Sequence, residues 1–202
     1  MRVIISAGGT GGHIYPALSI INKIKQRDKN AEILYVGTTN RMEKDIIPKY
    51  NIPYYAIKVT GLERKLSINN LKTLKNFIFA VIKMKKKIKE FKPDIVIGVG
   101  GYVTAPVIYA AKICKVKTII HEQNSVLGVT NRFLSKYVDA VLVSFPDTVV
   151  KAKRVVYTGN PSSEELNIPF SKSELGLSST KKLVLIVMGS LGSKVINDRM
   201  KE

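Results

Sequence analysis

The chain has 202 residues, of which 45% are hydrophobic and 24% charged, a balance typical of a folded globular protein rather than a disordered one. Lys and Arg outnumber Asp and Glu by 33 to 15, and the net charge of +18 indicates an anionic partner such as nucleic acid, a membrane surface or a phosphorylated substrate. The longest apolar stretches are six residues, far short of the roughly 18 that a membrane-spanning helix needs, and a single cysteine excludes an internal disulfide.

Short runs rich in Val and Ile alternate with helical patterns along the first 158 residues. The runs show little polar alternation, as expected of strands that are buried on both faces of a parallel sheet. They cover residues 2–6, 32–36, 94–99, 117–121, 140–144 and 155–158, and the helices between them include 105–114 and about 127–136. The pattern predicts a doubly wound parallel sheet of the α/β class.

A glycine-rich segment, Gly8-Gly9-Thr10-Gly11-Gly12-His13, joins the first predicted strand to the first helix; we call it the first glycine turn. Glycines let backbone N–H groups approach an anion, and a helix N-terminus adds partial positive charge. The spacing fits neither a Walker loop nor Gly-x-Gly-x-x-Gly, and no acidic residue ends the second strand to hold a ribose, so dinucleotide binding is disfavoured. A tight strand-to-helix connection explains such a turn equally well.

The most strongly helical pattern extends from Ile68 to Phe91, with Ser67 as its predicted N-cap. Between Lys58 and Lys92 there are eleven basic and two acidic residues, a net charge of +9. One apolar stripe is predicted, formed by Ile68, Leu71, Leu74, Phe77, Ile78, Val81, Ile82 and Ile88. Two interpretations stay open: a surface helix with solvated lysines, or a helix that contacts an anionic bilayer itself or through the preceding loop.

Two further glycine-rich turns follow apolar runs, residues 98–104 (the second glycine turn) and residues 189–193 (the third). All three turns are therefore predicted to lie at the carboxyl ends of strands, where open α/β sheets bind their ligands. Their coincidence predicts a phosphate-bearing ligand between two domains.

Both histidines of the chain, His13 and His121, lie at predicted strand ends beside these turns. In His121-Glu122-Gln123-Asn124, four hydrogen-bonding side chains are placed where a sugar or a diphosphate can be bound. The alternative is a polar connection in which Asn124 or Ser125 caps the next helix. No catalytic triad, Asp-x-Asp motif or Cys/His cluster occurs, so neither a metal nor a cofactor is predicted.

The strand–helix alternation stops at Gly159-Asn160-Pro161, after which the composition becomes polar. An apolar run at 182–188 restarts it, and the sequence ends in the following helix. The predicted organisation is a first domain over residues 1–161, a linker over 162–181, and the first strand and helix start of a truncated second domain over 182–202.

Five motifs in this order and spacing resemble the MurG family of bacterial N-acetylglucosaminyltransferases. They are the first glycine turn, Gly100-Gly101-Tyr102-Val103, His121-Glu122-Gln123-Asn124, Gly159-Asn160-Pro161 and Gly189-Ser190-Leu191-Gly192; the shorter segment Arg41-Met42-Glu43 agrees as well. The resemblance covers the whole chain. It implies the GT-B architecture of two Rossmann-like domains, of which this chain supplies the acceptor-binding amino-terminal domain and the start of the donor-binding domain.

The resemblance also implies a reaction in peptidoglycan synthesis. N-acetylglucosamine is transferred with inversion from UDP-N-acetylglucosamine to the 4-hydroxyl of the muramyl pentapeptide carried on undecaprenyl diphosphate. The enzyme is expected at the cytoplasmic face of the bacterial plasma membrane, as a peripheral protein on anionic lipid, and this chain is expected to be inactive alone.

By the same resemblance, His13 is the catalytic base. The donor-binding residues are Thr10, Gly11, Gly12, Asn124 and Ser190, and the acceptor-binding residues are Gly101, Tyr102, His121 and Glu122. One departure concerns Ser162 and Ser163, which stand where family members usually carry an Arg that contacts the nucleotide. Two alternatives follow: another base such as Lys182 replaces that Arg, or donor affinity is weakened.

Other functions are weighed against this one. A natural half-enzyme that binds the acceptor at a membrane surface and recruits a separate donor-domain subunit is the main alternative. Another GT-B protein, such as a UDP-N-acetylglucosamine epimerase, resembles the chain less, because those families lack the Gly-Gly-Tyr and His-Glu-Gln-Asn pair together. Nucleic acid accounts for the charge but not for histidine-flanked glycine turns, so no nucleic-acid partner is predicted.

Overall fold

The computed structural model describes residues 1–61, 68–166, 171–178, 180–184 and 194–200. The chain divides into two compact units, Met1–Ser163 and Glu164–Glu202. Within the described ranges, no helix combines the length and the apolar character needed to cross a membrane.

The first unit is built around a seven-stranded sheet in which every pair of neighbouring strands is parallel. The strands are β1 (Arg2–Ala7), β2 (Glu32–Thr38), β3 (Tyr54–Ile57), β4 (Ile95–Gly100), β5 (Lys117–Glu122), β6 (Ala140–Val143) and β7 (Val155–Tyr157). Their spatial order is β3-β2-β1-β4-β5-β6-β7. The predicted Rossmann-like, doubly wound parallel sheet is confirmed.

The helices of the first unit connect these strands. They are α1 (Gly11–Arg27), α2 (Glu43–Ile46), α3 (Ile68–Phe91), α4 (Thr104–Ile113) and α5 (Val129–Leu134), with a short 3₁₀ helix at Ile47–Tyr50. A 3₁₀ helix at Pro161–Leu166 follows β7.

The core consists of two apolar layers, one on each face of the sheet. Val3 and Ile5 of β1 pack with residues of α1 on one face, whereas Ile4 packs with residues of α3 and α4 on the other. Successive side chains of a strand point to opposite faces, so a sheet that is covered on both sides needs apolar residues throughout. This explains why the strand sequences show so little alternation.

The strand order reverses between β1 and β4, which are neighbours in the sheet although 92 residues separate Val3 from its partner Ile95. The pairing is regular as far as Ser6 and Gly98, and then Ala7 pairs with Gly100, so that Val99 is an extra residue in β4. The first and second glycine turns leave the sheet side by side at this point. Open α/β folds bind ligands at such a topological switch point.

Two elements, α2 and β3, were not predicted. The strand β3 contains only four residues, Tyr54-Tyr55-Ala56-Ile57, and lies at one edge of the sheet directly after Pro53. An edge strand needs fewer buried Val and Ile residues than a central one, so the apolar run that marks the other strands is missing here.

The prediction of one apolar stripe along α3 was wrong, because the helix is apolar on two faces. Val81 and Ile88 are buried against the sheet, whereas Leu71 (69% exposed), Ile78 and Ile82 lie on a solvent-facing side. The predicted N-cap, Ser67, lies outside the described residues.

In the second unit, the structure describes a 3₁₀ helix, Lys172–Leu175, and a helix α6, Lys194–Arg199. The hydroxyl of Ser171 accepts a hydrogen bond from the Ser173 N–H and caps the 3₁₀ helix. Of the strand predicted over 182–188, residues 182–184 are described and are not in a strand, and the rest lies outside the described residues.

Candidate functional site at the strand-order switch point

The first and second glycine turns are joined through their backbones. The Gly8 N–H donates a hydrogen bond to the Gly100 carbonyl, with an N···O distance of 3.2 Å. Gly101 has a φ of +83°, and a Cβ atom there would clash with the carbonyl of Gly8. The two turns therefore form one continuous backbone surface that needs glycine at its point of closest approach.

His13, in the first turn of α1, lies between the two turns. Its Nδ1 atom is 3.2 Å from the Gly8 carbonyl oxygen and 3.3 Å from the Thr10 hydroxyl oxygen. Because a carbonyl oxygen only accepts, Nδ1 carries the proton of this hydrogen bond and Nε2 carries the lone pair. A Cβ atom on Gly100 would clash with the edge of the ring that includes Nε2, so that edge packs against the second glycine turn.

Burial lowers the pKa of His13, while its bond to the Gly8 carbonyl and the negative charges of Glu122 and Glu43 act in the opposite direction. The net effect is a pKa below the usual 6.5. The ring is therefore neutral near pH 7, and its Nε2 lone pair can accept a proton, as a general base must.

The amides at the start of α1 are suited to binding an anion. Thr10 is the N-cap residue, has an extended backbone and makes no side-chain capping bond. The first amides of a helix have no acceptor within the helix and lie at the positive end of its dipole. Thr10, Gly11 and Gly12, the predicted donor contacts in this turn, therefore lie beside His13 with an electrostatic preference for phosphate oxygens.

Tyr102 of the second glycine turn lies where polar and apolar surfaces meet. Its hydroxyl oxygen accepts a hydrogen bond from Nε of Arg41, at 3.2 Å. Its ring borders an apolar cavity of about 300 Å³ that includes residues of α3, α4 and α5. The other cavity residues are Val59, Thr60, Thr73, Leu74, Phe77, Ala105, Pro106, Thr130 and Phe133.

His121 differs from His13 in being only 1% exposed. Its Nε2 lies 3.1 Å from the Gly159 carbonyl oxygen, and its Nδ1 accepts a hydrogen bond from Nε2 of Gln123 at 2.9 Å. Burial lowers its pKa. Both ring nitrogens of His121 are therefore engaged, and the side chain holds the segment at Gly159 in place. His121 was expected to contact the acceptor substrate, but in this geometry it has no free nitrogen with which to do so.

Glu122 organises the polar loop after β5 and is only 2% exposed. One carboxylate oxygen accepts from the backbone and side-chain N–H groups of Asn124, at 3.1 and 2.9 Å. The other accepts from the Gly128 N–H and the Asn131 side chain, at 3.0 and 2.9 Å. Glu122 thus supports Asn124, which is exposed, instead of presenting its own carboxylate to a ligand.

The N-cap of α5 is Gly128, so the alternative in which Asn124 or Ser125 caps that helix was wrong. The helix is also shorter than the predicted 127–136.

Near Asn160, the Ser162 N–H donates to the Asn160 side-chain oxygen at 3.1 Å, and the Ser163 hydroxyl donates to the Asn160 carbonyl at 2.7 Å. Ser162 and Ser163 thus shape the turn that contains Asn160. Ser190, the remaining predicted donor contact, lies outside the described residues.

Within the described ranges, no group of three or more His, Cys, Asp or Glu side chains is arranged to hold a metal ion. Arg41 and Glu43, for which no individual role was predicted, both make hydrogen bonds at the site, as does Gln123. The only sequence signal for the first two was the Arg41-Met42-Glu43 segment.

Acidification is expected to destabilise the fold through His13 and His121, whose pKa values are lowered from 6.5. The unfolded chain binds protons at these histidines more readily than the folded chain does. The free energy of unfolding therefore falls as the pH drops below about 6.5, and it levels off below the folded-state pKa values. The slope reaches up to ~1.4 kcal/mol per pH unit for each histidine. Urea unfolding at about pH 7.5 and about pH 5.5 measures the loss. His121→Gln should reduce it, and an undiminished loss in that variant would contradict the assignment.

The chain is similar to known proteins over almost its whole length. Residues 3–143 match the family model described as the glycosyltransferase family 28 N-terminal domain. The chain is 48% identical, over 98% of its length, to the UDP-N-acetylglucosamine–N-acetylmuramyl-(pentapeptide) pyrophosphoryl-undecaprenol N-acetylglucosamine transferase of Halalkalibacterium halodurans. It spans 56% of that relative, so it corresponds to about half the length of the curated proteins it matches.

The solved structures agree with this comparison. The crystal structure of MurG from Acinetobacter baumannii is 33% identical and superposes with a TM-score of 0.75, over 98% of this chain and 55% of the other. The UDP-GlcNAc 2-epimerase of Neisseria meningitidis superposes with a TM-score of 0.58 over 83% of this chain and 50% of the other, but at 16% identity it shares the fold alone. The resemblance to MurG that the motifs indicated is confirmed, and the chain belongs to glycosyltransferase family 28, with the N-terminal domain of that family over residues 3–143.

Proposed function

We propose that this chain is the acceptor-binding half of a MurG-like transferase, which moves N-acetylglucosamine from UDP to a lipid-linked muramyl pentapeptide in peptidoglycan synthesis. The observation that carries the proposal is the position of His13. Its neutral ring lies between two joined glycine turns at the switch point, beside the helix amides of Thr10, Gly11 and Gly12.

In this reaction, Nε2 of His13 accepts the proton of the muramyl 4-hydroxyl while the hydroxyl oxygen attacks C1 of N-acetylglucosamine. The bond between C1 and the diphosphate oxygen breaks, UDP leaves with the bonding electron pair, and the configuration at C1 is inverted. The Nδ1–H bond to the Gly8 carbonyl fixes the ring and keeps Nε2 as the basic atom. The amides of the first glycine turn offset the negative charge that develops on the diphosphate of the departing UDP.

The proposed donor contacts on this chain are Thr10, Gly11, Gly12, Asn124 and Ser190. The first three share one helix N-terminus, and Asn124 is held by Glu122. The net charge of +18 favours the approach of both anionic substrates.

The proposed acceptor contacts are made by Gly101 and Tyr102, while His121 and Glu122 hold the neighbouring loops in position. Tyr102 borders both the glycine turn and the apolar cavity of about 300 Å³. A diphosphate followed by a prenyl chain has the same order of polar and apolar parts, which supports undecaprenyl-diphosphate-linked muramyl pentapeptide as the acceptor.

The proposed domain organisation assigns residues 1–161 to the acceptor domain, 162–181 to a linker, and 182–202 to the first strand and helix start of the donor domain. Transfer then requires the second half of the protein, as in relatives that are nearly twice as long.

We further propose that the chain docks on the cytoplasmic face of the bacterial plasma membrane as a peripheral protein. The support comes from the exposed face of α3, where Leu71, Ile78 and Ile82 are accompanied by exposed lysines such as Lys75 and Lys86. Apolar side chains surrounded by basic ones suit an interface with anionic lipid.

Acceptor binding tests this proposal. We expect a muramyl pentapeptide diphosphate with a short, soluble prenyl chain to shift the NMR resonances of the His13 ring and the Gly101 amide. The matching prenyl alcohol, which lacks the diphosphate, should leave the Gly101 amide unchanged. Binding of the alcohol and the diphosphate with equal affinity, or no shift with either, would contradict the proposed function.

A further inference from the structure

Glu43, at the start of α2, is a buried acidic residue. Its side chain is 0% exposed, and no ion pair to it is present within the described part of the chain. A carboxylate buried without a cation is costly unless several donors satisfy it, and it usually serves a specific purpose.

Three hydrogen bonds satisfy this carboxylate. Its Oε1 atom accepts from the Thr38 N–H at 3.0 Å and from the Thr38 hydroxyl at 2.7 Å. Its Oε2 atom accepts from the Gly9 N–H at 3.1 Å. Glu43 therefore connects the end of β2 to the first glycine turn, 34 residues earlier in the chain.

The glycines around Glu43 make room for its side chain. A Cβ atom on Gly8 would clash with Oε1 of Glu43, and one on Gly37 would lie 2.7 Å from its Cγ atom. The lack of a side chain at Gly8 and at Gly37 therefore leaves space for the Glu43 side chain. Gly8 of the first glycine turn is thus needed for packing around Glu43 as well as for binding a ligand.

The charge of Glu43 also changes the pKa values of two neighbouring side chains, His13 and Tyr54. Its charge raises the pKa of His13 against the effect of burial. Burial raises the pKa of Tyr54, and the charge of Glu43 raises it further. Being fully buried, Glu43 cannot touch a substrate. Its influence on the reaction therefore passes through the turn that it holds and through the effect of its charge on the pKa of His13.

We propose that Glu43 is a positioning residue whose buried carboxylate anchors Gly9 and thereby fixes the first glycine turn for binding a diphosphate. An anion site needs its amides at hydrogen-bonding distance and angle, and that geometry has to be held to within about 0.5 Å to remain productive. The ligand part of this inference rests on the proposed function, whereas the anchoring of Gly9 does not.

Glu43→Gln is the decisive variant, because an amide has the same shape but only one oxygen. The N–H groups of Gly9 and Thr38 face different carboxylate oxygens and can only donate. Whichever way the amide is oriented, one backbone N–H therefore meets an NH₂ group. Thr38→Val is the matched control, since it removes the hydroxyl donor but leaves both backbone bonds to the carboxylate.

The experiment uses the full chain, two-dimensional NMR and pyrophosphate as the probe. In Glu43→Gln we expect a shifted, faster-exchanging Gly9 amide and pyrophosphate binding to the Gly11 and Gly12 amides that is about tenfold weaker, a loss of ~1.4 kcal/mol. Thr38→Val should bind pyrophosphate within about twofold of the unmodified chain, even if its stability decreases. Glu43→Asp retains the charge but is one methylene shorter, and it should change the Gly9 amide in the same direction.

Three outcomes separate the inference from the proposed function. An unchanged Gly9 amide in both Glu43 variants would overturn the anchoring role. Equal losses of affinity in Glu43→Gln and Thr38→Val would also overturn it, because general destabilisation would then explain both. Failure of the unmodified chain to bind pyrophosphate or the lipid-linked acceptor, with the Gly9 amide still responding to Glu43→Gln, would count against the proposed function while supporting the anchor.

Discussion

Replacing His13 with alanine is expected to lower kcat for sugar transfer by about 10²–10⁴-fold, the usual contribution of a general base. The measurement needs a transferase that contains this chain together with the second half of its relatives. KM for the acceptor should change much less, because the glycine turns that support the binding surface remain. In the unmodified enzyme, kcat should fall as the pH drops through the pKa of His13, which burial places below 6.5.

The control for this prediction is His13→Asn. The Asn amide nitrogen can occupy the position of Nδ1 and preserve the hydrogen bond to the Gly8 carbonyl, but the residue has no basic atom. We expect the same loss of kcat as in His13→Ala with better preserved acceptor binding. Transfer within a few-fold of the unmodified rate in both variants would show that His13 is not the base.

Membrane binding is expected to weaken roughly a hundred-fold when Lys75, Lys83 and Lys86 are changed together to Gln. Each basic residue near an anionic surface contributes about 1 kcal/mol, and the three lie on the exposed side of α3. Co-sedimentation with vesicles of phosphatidylglycerol and phosphatidylcholine measures the effect at about 0.05 M salt. At about 0.5 M salt the difference should nearly vanish, because the charges are screened.

Changing Lys25, Lys29 and Lys49 to Gln provides the control, because it removes the same charge from other exposed positions. Equal weakening in both triple variants would show that net charge alone drives binding and would remove α3 from the proposal. Lys87 is left unchanged, since it forms an ion pair with Glu90 at 2.9 Å and lies over the Tyr55 ring.

The fold class was predictable because burial on both faces imposes a continuous apolar sequence on every central strand. Where that constraint is weaker, the prediction failed. The edge strand Tyr54–Ile57 carries no such run, and α3 is apolar on a second face that does not pack on the sheet. An apolar residue on a helix indicates a contact, but the sequence does not distinguish a contact with the core from one with a partner.

The two histidines show the same limit within the candidate site. The sequence places both His13 and His121 at strand ends and does not distinguish them, although His13 lies in α1 and His121 is the next-to-last residue of β5. In the structure His13 is partly accessible, and only its Nδ1 atom bonds to the Gly8 carbonyl, so the Nε2 lone pair stays available. His121 is enclosed, and both of its ring nitrogens make hydrogen bonds. The difference comes from the Gln123 side chain, two residues away, together with the Gly159 carbonyl, which approaches from 38 residues further along the chain.

The sequence by itself therefore determined the parallel α/β fold, the glycine turns at strand ends, the basic segment and the resemblance to MurG, because each depends on residues that are close together in the chain. Only the tertiary structure decided that β1 and β4 are neighbours, that Gly8 meets Gly100, and that the buried carboxylate of Glu43 reaches Gly9. These contacts join segments that are 34 to 92 residues apart. They depend on the order of strands in the sheet, which local patterns of hydrophobicity do not specify.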